Sequence, residues 1–304
     1  MIVMFLSIMA VALAAQQRLP GTMVMPVPGG EIEITFPDQP MKLSRHELLN
    51  WVKDAAKAVS NYYGKFPARH LTLIIQAGGG YGVRHGVTYP KGGGLIRITV
   101  GEEADVSELK DDWVLTHEMI HLAFPSMADN HHWIEEGIST YVEPVARAQV
   151  GNIPLTEVWK QWIRDMPQGE PAADDEGLDR TPTWGRTYWG GAMFCLLAEV
   201  RIRERTHNRK GLRDALRGIL NAGGVITEDW EIEKALKIGD KATGTDALMT
   251  LYHEMATKPV TVDLDELWRK LGVRMTNVEV VFDDSAKEAA IRKAITLSRV
   301  KGSG

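Results

Sequence analysis

The sequence predicts an α+β fold, with a small mixed sheet in the N-terminal half packed on a mainly helical C-terminal half. Three observations carry that expectation. Up to about residue 106, short apolar runs and period-two alternation recur between glycine-rich stretches, which is the pattern of strands. Beyond that point the apolar positions take helical spacing and keep it almost to the end. The composition, 44% hydrophobic and 25% charged with 29 Gly and 14 Pro in 304 residues, is that of a globular chain long enough to bury a real core. It excludes a disordered tail, a collagen-like repeat and a coiled-coil rod.

Residues 1–15 are apolar except for Ser7 and end in Ala12-Leu13-Ala14-Ala15, ahead of Gln16-Gln17-Arg18. That is the apolar core and small-residue end of a secretory signal peptide, lacking only its basic start. The expected organisation is a signal at 1–15, an α/β subdomain at 16–106 and a helical subdomain at 107–304. The expected location is exported, periplasmic or extracellular, which suits a chain whose single cysteine is Cys195. One cysteine also excludes a disulfide framework and any cysteine-based zinc ribbon. A formal charge of −5 argues against a nucleic-acid partner. No run reaches the 18 or so apolar residues of a membrane span.

Taken in order, Glu31-Ile32-Glu33-Ile34-Thr35-Phe36 alternates like a half-buried strand. Ser44-Arg45-His46-Glu47 is a capping box, and Leu48, Trp51, Val52, Ala55 and Val59 continue from it as one buried face of a helix to about Tyr63. Strands follow at 71–75 and 95–100. Between them lies a glycine-rich loop, 78–94, which reads as a flexible hairpin. It has no Gly-Lys-Ser/Thr ending and lacks the third glycine of a dinucleotide fingerprint. Helices are expected at 108–123, 133–147, 155–164, 188–205, 210–220, 228–237, 245–257, 263–271 and 285–297, with a short strand at 278–282.

The chemistry begins at His117-Glu118-Met119-Ile120-His121. Residues i and i+4 share a helix face, so both imidazoles can reach one metal ion while Glu118 sits beside it to take a proton from water. A shuffled chain with 9 histidines holds roughly 0.02 copies of this motif, which makes coincidence a weak explanation. A catalytic zinc needs a third protein ligand and an open position. Four candidates follow in Asn130-His131-His132-Trp133-Ile134-Glu135-Glu136-Gly137: His131, His132, Glu135 and Glu136. A metzincin site would need Gly and His where Phe124 and Met127 stand.

His-Glu-x-x-His followed by Trp133-x-x-Glu136-Gly137-x-Ser139-x-Tyr141 resembles the gluzincin metallopeptidases, in particular the M1 aminopeptidases and M61 glycyl aminopeptidases. The resemblance runs over about 107–297 and implies a thermolysin-like catalytic domain. It implies one Zn2+ per chain held by His117, His121 and Glu136, with Glu135 as a neighbour. The 15 positions from His121 to Glu136 are fewer than the usual M1 gap. Gly185-Arg186-Thr187-Tyr188-Trp189-Gly190-Gly191-Ala192 is similar to the M1/M61 segment whose tyrosine stabilises an oxyanion, and this carries that role onto Tyr188. The implied catalytic residues are thus Glu118 and Tyr188, and the implied substrate is a peptide or protein.

One departure stands out. M1 exopeptidases grip the substrate amine with a Gly-Ala-Met-Glu-Asn strand upstream of the metal helix. Here the only Gly-Ala-Met is Gly191-Ala192-Met193, followed by Phe194 and downstream of it. Amino- and endopeptidase action both stay open, with the glycine-rich segment before Ile96 as a candidate substrate-pairing edge. The alternatives are a non-catalytic peptide-binding protein of the same fold and a zinc hydrolase of a non-peptide amide. Of the remaining features, His253-Glu254-Met255-Ala256-Thr257 lacks the second histidine and reads as helix surface. The acids Asp165, Glu170, Asp174, Asp175, Glu176 and Asp179 read as a solvated loop, or as a substrate rim ahead of Tyr188.

Overall fold

The computed structural model describes residues 21–297. The segment read as an export signal lies outside them. The sheet has five strands: β1 Thr22–Val27, β2 Gly30–Thr35, β3 His70–Gly78, β4 Val83–Tyr89 and β5 Leu95–Gly101, in the order β1-β2-β3-β5-β4. β1 and β2 form a hairpin, β2, β3 and β5 run parallel, and β4 returns antiparallel along β5 as an edge. The parallel step from β2 to β3 needs a crossover, supplied by α1 Arg45–Tyr63. The predicted capping box is formed: Glu47 accepts from the Ser44 N–H at 2.7 Å, and the Glu47 N–H donates to Ser44 Oγ at 3.3 Å.

Two strands are additions to the sequence reading. β1 carries Pro26 and only one buried side chain, Met25, so it shows little alternation. β4 lies inside the glycine-rich loop, where Gly86 removes one of the side chains that would have marked a strand. In place of the flexible hairpin expected there, the segment supplies one strand, which forms a hairpin with β5 and is ordered into the sheet.

The helical part runs α2 Val106–Asp111, α3 Val114–His121, α4 His132–Gln149, α5 Leu155–Asp165, α6 Gly191–Arg205, α7 Leu212–Asn221, α8 Ile232–Thr243, α9 Ala247–Met255, α10 Leu264–Leu271 and α11 Ala289–Thr296. The helix expected at 108–123 is therefore two. Asp112 breaks it, with extended backbone and a carboxylate that accepts from the N–H groups of Val114 (2.9 Å) and Leu115 (3.2 Å) and from Trp51 Nε1 (2.9 Å). That carboxylate caps the helix carrying the histidine motif. The short strand expected at 278–282 is β7 Val280–Phe282, paired with β6 Val273–Met275. One buried apolar cluster extends from Met25 in the sheet to Ile295 in the last helix. Helix α4 lies within it, in contact with α1, α3, α5, α6 and α11.

Candidate active site

Helix α3 presents His117 and His121 on one face, with ring centroids 4.9 Å apart. Helix α4 brings Glu136 across them, its Oε2 3.0 Å from His117 Nε2 and 3.7 Å from His121 Nε2. Among the described residues this is the one group of three or more histidine, cysteine or acidic side chains whose ligand atoms converge, all within 4.8 Å. A tetrahedral zinc with bonds of about 2.0–2.1 Å separates neighbouring ligand atoms by roughly 3.3 Å, which the 3.0 and 3.7 Å separations of Glu136 from the two imidazoles bracket. The other three candidates go elsewhere. Glu135 faces His132 Nδ1 at 3.2 Å, and the exposed His132 reaches Glu136 Oε1 at 3.2 Å through Nε2. His131 turns to Tyr252 and Asp179.

The electrostatics suit a cation. Burial lowers the His121 imidazole to about 4, which leaves it neutral with a lone pair to offer. Its Nδ1 lies 3.2 Å from Ser139 Oγ, which aims Nε2 at the cluster. Burial opposes the charge on Glu136, but contacts with His117 and His132 outweigh it and hold the carboxyl well below its usual range.

Glu118 is buried beside the cluster. Burial raises its carboxyl, and the Thr88 hydroxyl pulls it part of the way back. Thr88 Oγ1 lies 2.6 Å from Glu118 Oε2 and 2.9 Å from the Glu118 carbonyl, so edge strand β4 is fastened directly to Glu118. Gly86 makes this approach possible. A Cβ there would stand 2.7 Å from Glu118 Cγ and 2.8 Å from Val114 Cγ1.

Tyr188 sits in a π-helical turn, Arg186–Gly190, that leads into α6. Its ring stacks on His117 with centroids 6.3 Å apart, and the exposed Trp184 stacks on its outer side at 5.6 Å. Burial, with Glu136 and Glu118 nearby, raises the phenol to about 12, so it stays a proton donor at neutral pH. The turn reaches the ligands because α4 and α6 touch backbone to backbone. A Cβ on Gly137 would lie 2.3 Å from the Gly191 carbonyl carbon, and one on Gly191 2.2 Å from the Trp133 oxygen.

The acidic segment before Tyr188 is only partly a solvated loop. Asp175 is buried against Arg186, Asp179 accepts from Trp133 Nε1 (2.8 Å) and Tyr252 Oη (2.9 Å), and Glu170 accepts from the Val262 N–H. Asp174 and Glu176 remain exposed. In the degenerate motif, His253 and Glu254 are exposed as expected, whereas Met255 belongs to the core. Sequence reasoning missed Thr88, Ser139, Trp113 (edge-on to His117 at 5.4 Å) and Trp184. Ser139 and Trp113 could have been found: one lies three residues after Glu136, the other one turn before His117.

No family model matches the chain, and no curated protein matches it. Solved structures do. It superposes on an aminopeptidase N family protein from Idiomarina loihiensis with a TM-score of 0.61 and 12% identity, over 83% of this chain and 49% of that one. An M1 zinc metallopeptidase from Deinococcus radiodurans follows, with a TM-score of 0.50 and 14% identity over 80% of this chain and 52% of that one. A two-domain M1 zinc metallopeptidase variant bound to L-arginine matches at a TM-score of 0.50 and 13% identity, over 80% and 53%. The chain spans about half the length of these structures. The fold is therefore gluzincin-like, as in the M1 metallopeptidases.

Proposed function

We propose that the protein is a zinc-dependent peptidase. The observation that carries this reading is the convergence of His117 Nε2, His121 Nε2 and Glu136 Oε2, with Glu118 buried beside them, in a fold shared with M1 zinc metallopeptidases. Zinc, when bound by those three residues, supplies a Lewis acid that brings the pKa of water to about 7 and polarises a carbonyl. Glu118, its Oε2 fixed by Thr88, takes the proton of the attacking water and passes it to the departing amine. The Tyr188 phenol donates to the charge developing on the carbonyl oxygen. Stacking on His117 and Trp184 keeps that phenol at the cluster.

The cleft edge bears on the cleavage position. Strand β4 carries no carboxylate, and its exposed side chains include Arg84 and His85. Asp175, one of the acids that could have gripped an amine, is occupied by Arg186. The site therefore accepts peptides of several residues and does not depend on a free amino terminus. Metal content, followed by a mixed-peptide digest read by mass spectrometry, tests the whole reading. About one zinc per chain with internal cleavages supports it. Zinc without peptide cleavage points to a non-peptide amide, and no zinc to a binding protein of the same fold.

A further inference from the structure

We infer that the buried Arg186–Asp175 pair is a positioning device for Tyr188, holding the π-helical turn in the one register that lays the phenol against His117. This rests on the role assigned to Tyr188 above. A π turn contains one residue more than an α turn. If Arg186–Gly190 relaxed into ordinary helix, the residues before it would swing by about 100° around the helix axis, and Tyr188, at the middle of the turn, would be carried part of that way off His117. The far end of the turn is fixed already, because α6 meets α4 at Gly191 and Gly137. The end free to shift is the one that begins with Arg186.

Arg186 is anchored there on three sides. Its Nη1 donates to the Gly169 carbonyl at 2.5 Å, its Nη2 to Asp175 Oδ1 at 3.4 Å, and its Nε lies 2.7 Å from Asp175 Oδ2. Asp175 Oδ1 also accepts from the Gly177 N–H at 2.8 Å, which ties the pair to the loop. The turn seats on the 3-10 segment Met166–Gly169 without room for side chains: a Cβ on Gly169 would lie 2.3 Å from the Gly190 nitrogen. Both charged side chains are buried, at 3% and 0% exposure, and the Nε–Oδ2 contact is ionic without hydrogen-bond geometry. Burying such a pair costs about what its attraction returns, so an apolar pair would serve stability equally well. What a planar guanidinium adds is direction, since its fork meets two hydrogen-bond acceptors, the Gly169 carbonyl and Asp175 Oδ1, and one ionic contact in a single orientation. Arg186 acts through Tyr188 and is not itself a catalytic residue.

The test uses protein labelled with 3-fluorotyrosine, whose seven tyrosines include Tyr188. The Tyr188 fluorine line is identified by its loss in Tyr188→Phe. In Arg186→Met that line should move while the other lines and zinc content stay in place; the thermal midpoint falls, because Asp175 is left buried without its cation, and the spectra are taken well below it. Turnover should fall about ten- to a hundredfold, with KM changed by no more than about twofold. Arg186→Lys, which keeps one contact, should fall between. The Arg186→Met loss should vanish in a Tyr188→Phe background, because the residue acts only through that phenol. An unmoved Tyr188 line, or an undiminished loss in that background, overturns the inference. Should Arg186→Met not fold, Asp175→Asn removes the charge at constant shape and answers to the same readouts. If the wild-type protein cleaves no peptide, the peptidase reading fails, and the fluorine line still decides the positioning role.

Discussion

Helices α3 and α4 bury three carboxylates, and each has a different kind of partner. Glu143, two turns beyond Glu136 on α4, accepts from Arg147 Nη1 at 2.8 Å, and Arg147 is held in turn by the Lys110 carbonyl at 2.8 Å. Glu136 faces three imidazoles, with the Tyr188 phenol beside it. Glu118 has the hydroxyl of Thr88. A guanidinium never gives up its proton, so the charge of Glu143 is matched by Arg147, although burial still raises its carboxyl as it does that of Glu118. Imidazoles can exchange a proton for a metal, so Glu136 and its neighbours can bind a cation together. A hydroxyl neutralises nothing, and Glu118 is left as a carboxyl raised by burial and free to shuttle a proton. Burial is common to all three. Function follows from the partner.

Removing each partner set should therefore disturb a different observable. The largest effect is expected at the imidazole-bound carboxylate. His121→Ala and Glu136→Ala should each lose the zinc, about one per chain in the wild type, and all turnover with it, while Glu135→Ala keeps its metal. Elemental analysis after dialysis decides it, and zinc retained in Glu136→Ala would move the third ligand elsewhere. Next comes the hydroxyl-bound carboxylate. Glu118→Gln should keep the zinc and lose about 10²- to 10⁴-fold in turnover, and a variant that loses metal instead would place Glu118 among the ligands. Third, Arg147→Ala leaves Glu143 buried without its cation and should cost about 3–5 kcal/mol of stability. In the variant that stays folded, zinc content should not change. Denaturant unfolding measures the first quantity, and a loss of zinc would contradict the division of labour. The smallest effect concerns the amine. Acetylating the amino terminus of a peptide substrate should alter its rate by less than the ten- to hundredfold that a lost charge-assisted contact would cost. Abolished cleavage would show that a carboxylate such as Glu135, Asp174 or Glu176 grips the amine after all.

Much of the fold was legible because periodicity is written into side-chain order. Helices with strong apolar faces, α1, α4, α5 and α10, lie within a few residues of their expected limits. The misses have specific causes. β4 takes its place from backbone pairing with β5, and its glycine and half-exposed residues leave no alternation to read. The break at Asp112 depends on a carboxylate folding back onto two N–H groups, which composition cannot distinguish from a surface acid within a helix. The fate of the acidic loop was hidden for a related reason. Whether Asp175 is solvated or buried depends on Arg186, eleven residues later in sequence, arriving beside it. At the site, the i, i+4 histidines announce themselves by spacing, whereas Thr88 reaches it from a strand through a tertiary contact that no local pattern records.

The contact between Gly137 and Gly191 has a bearing on how this cleft could be altered. Gly137 adjoins Glu136 and Gly191 follows Tyr188 by three positions, so the separation of the two reacting walls is set where two main chains meet. Main-chain atoms have no rotamers. The approach of α4 and α6 is consequently insensitive to changes in the surrounding side chains, in a way that the register of the Tyr188 turn, held by Arg186 and Asp175, is not. Enlarging either glycine would wedge the helices apart and detune both walls at once. Under the proposed function, selection or engineering for new substrates has the rim to work with, at positions such as Trp113, Trp184 and the β4 edge, while the approach of α4 to α6 stays the same.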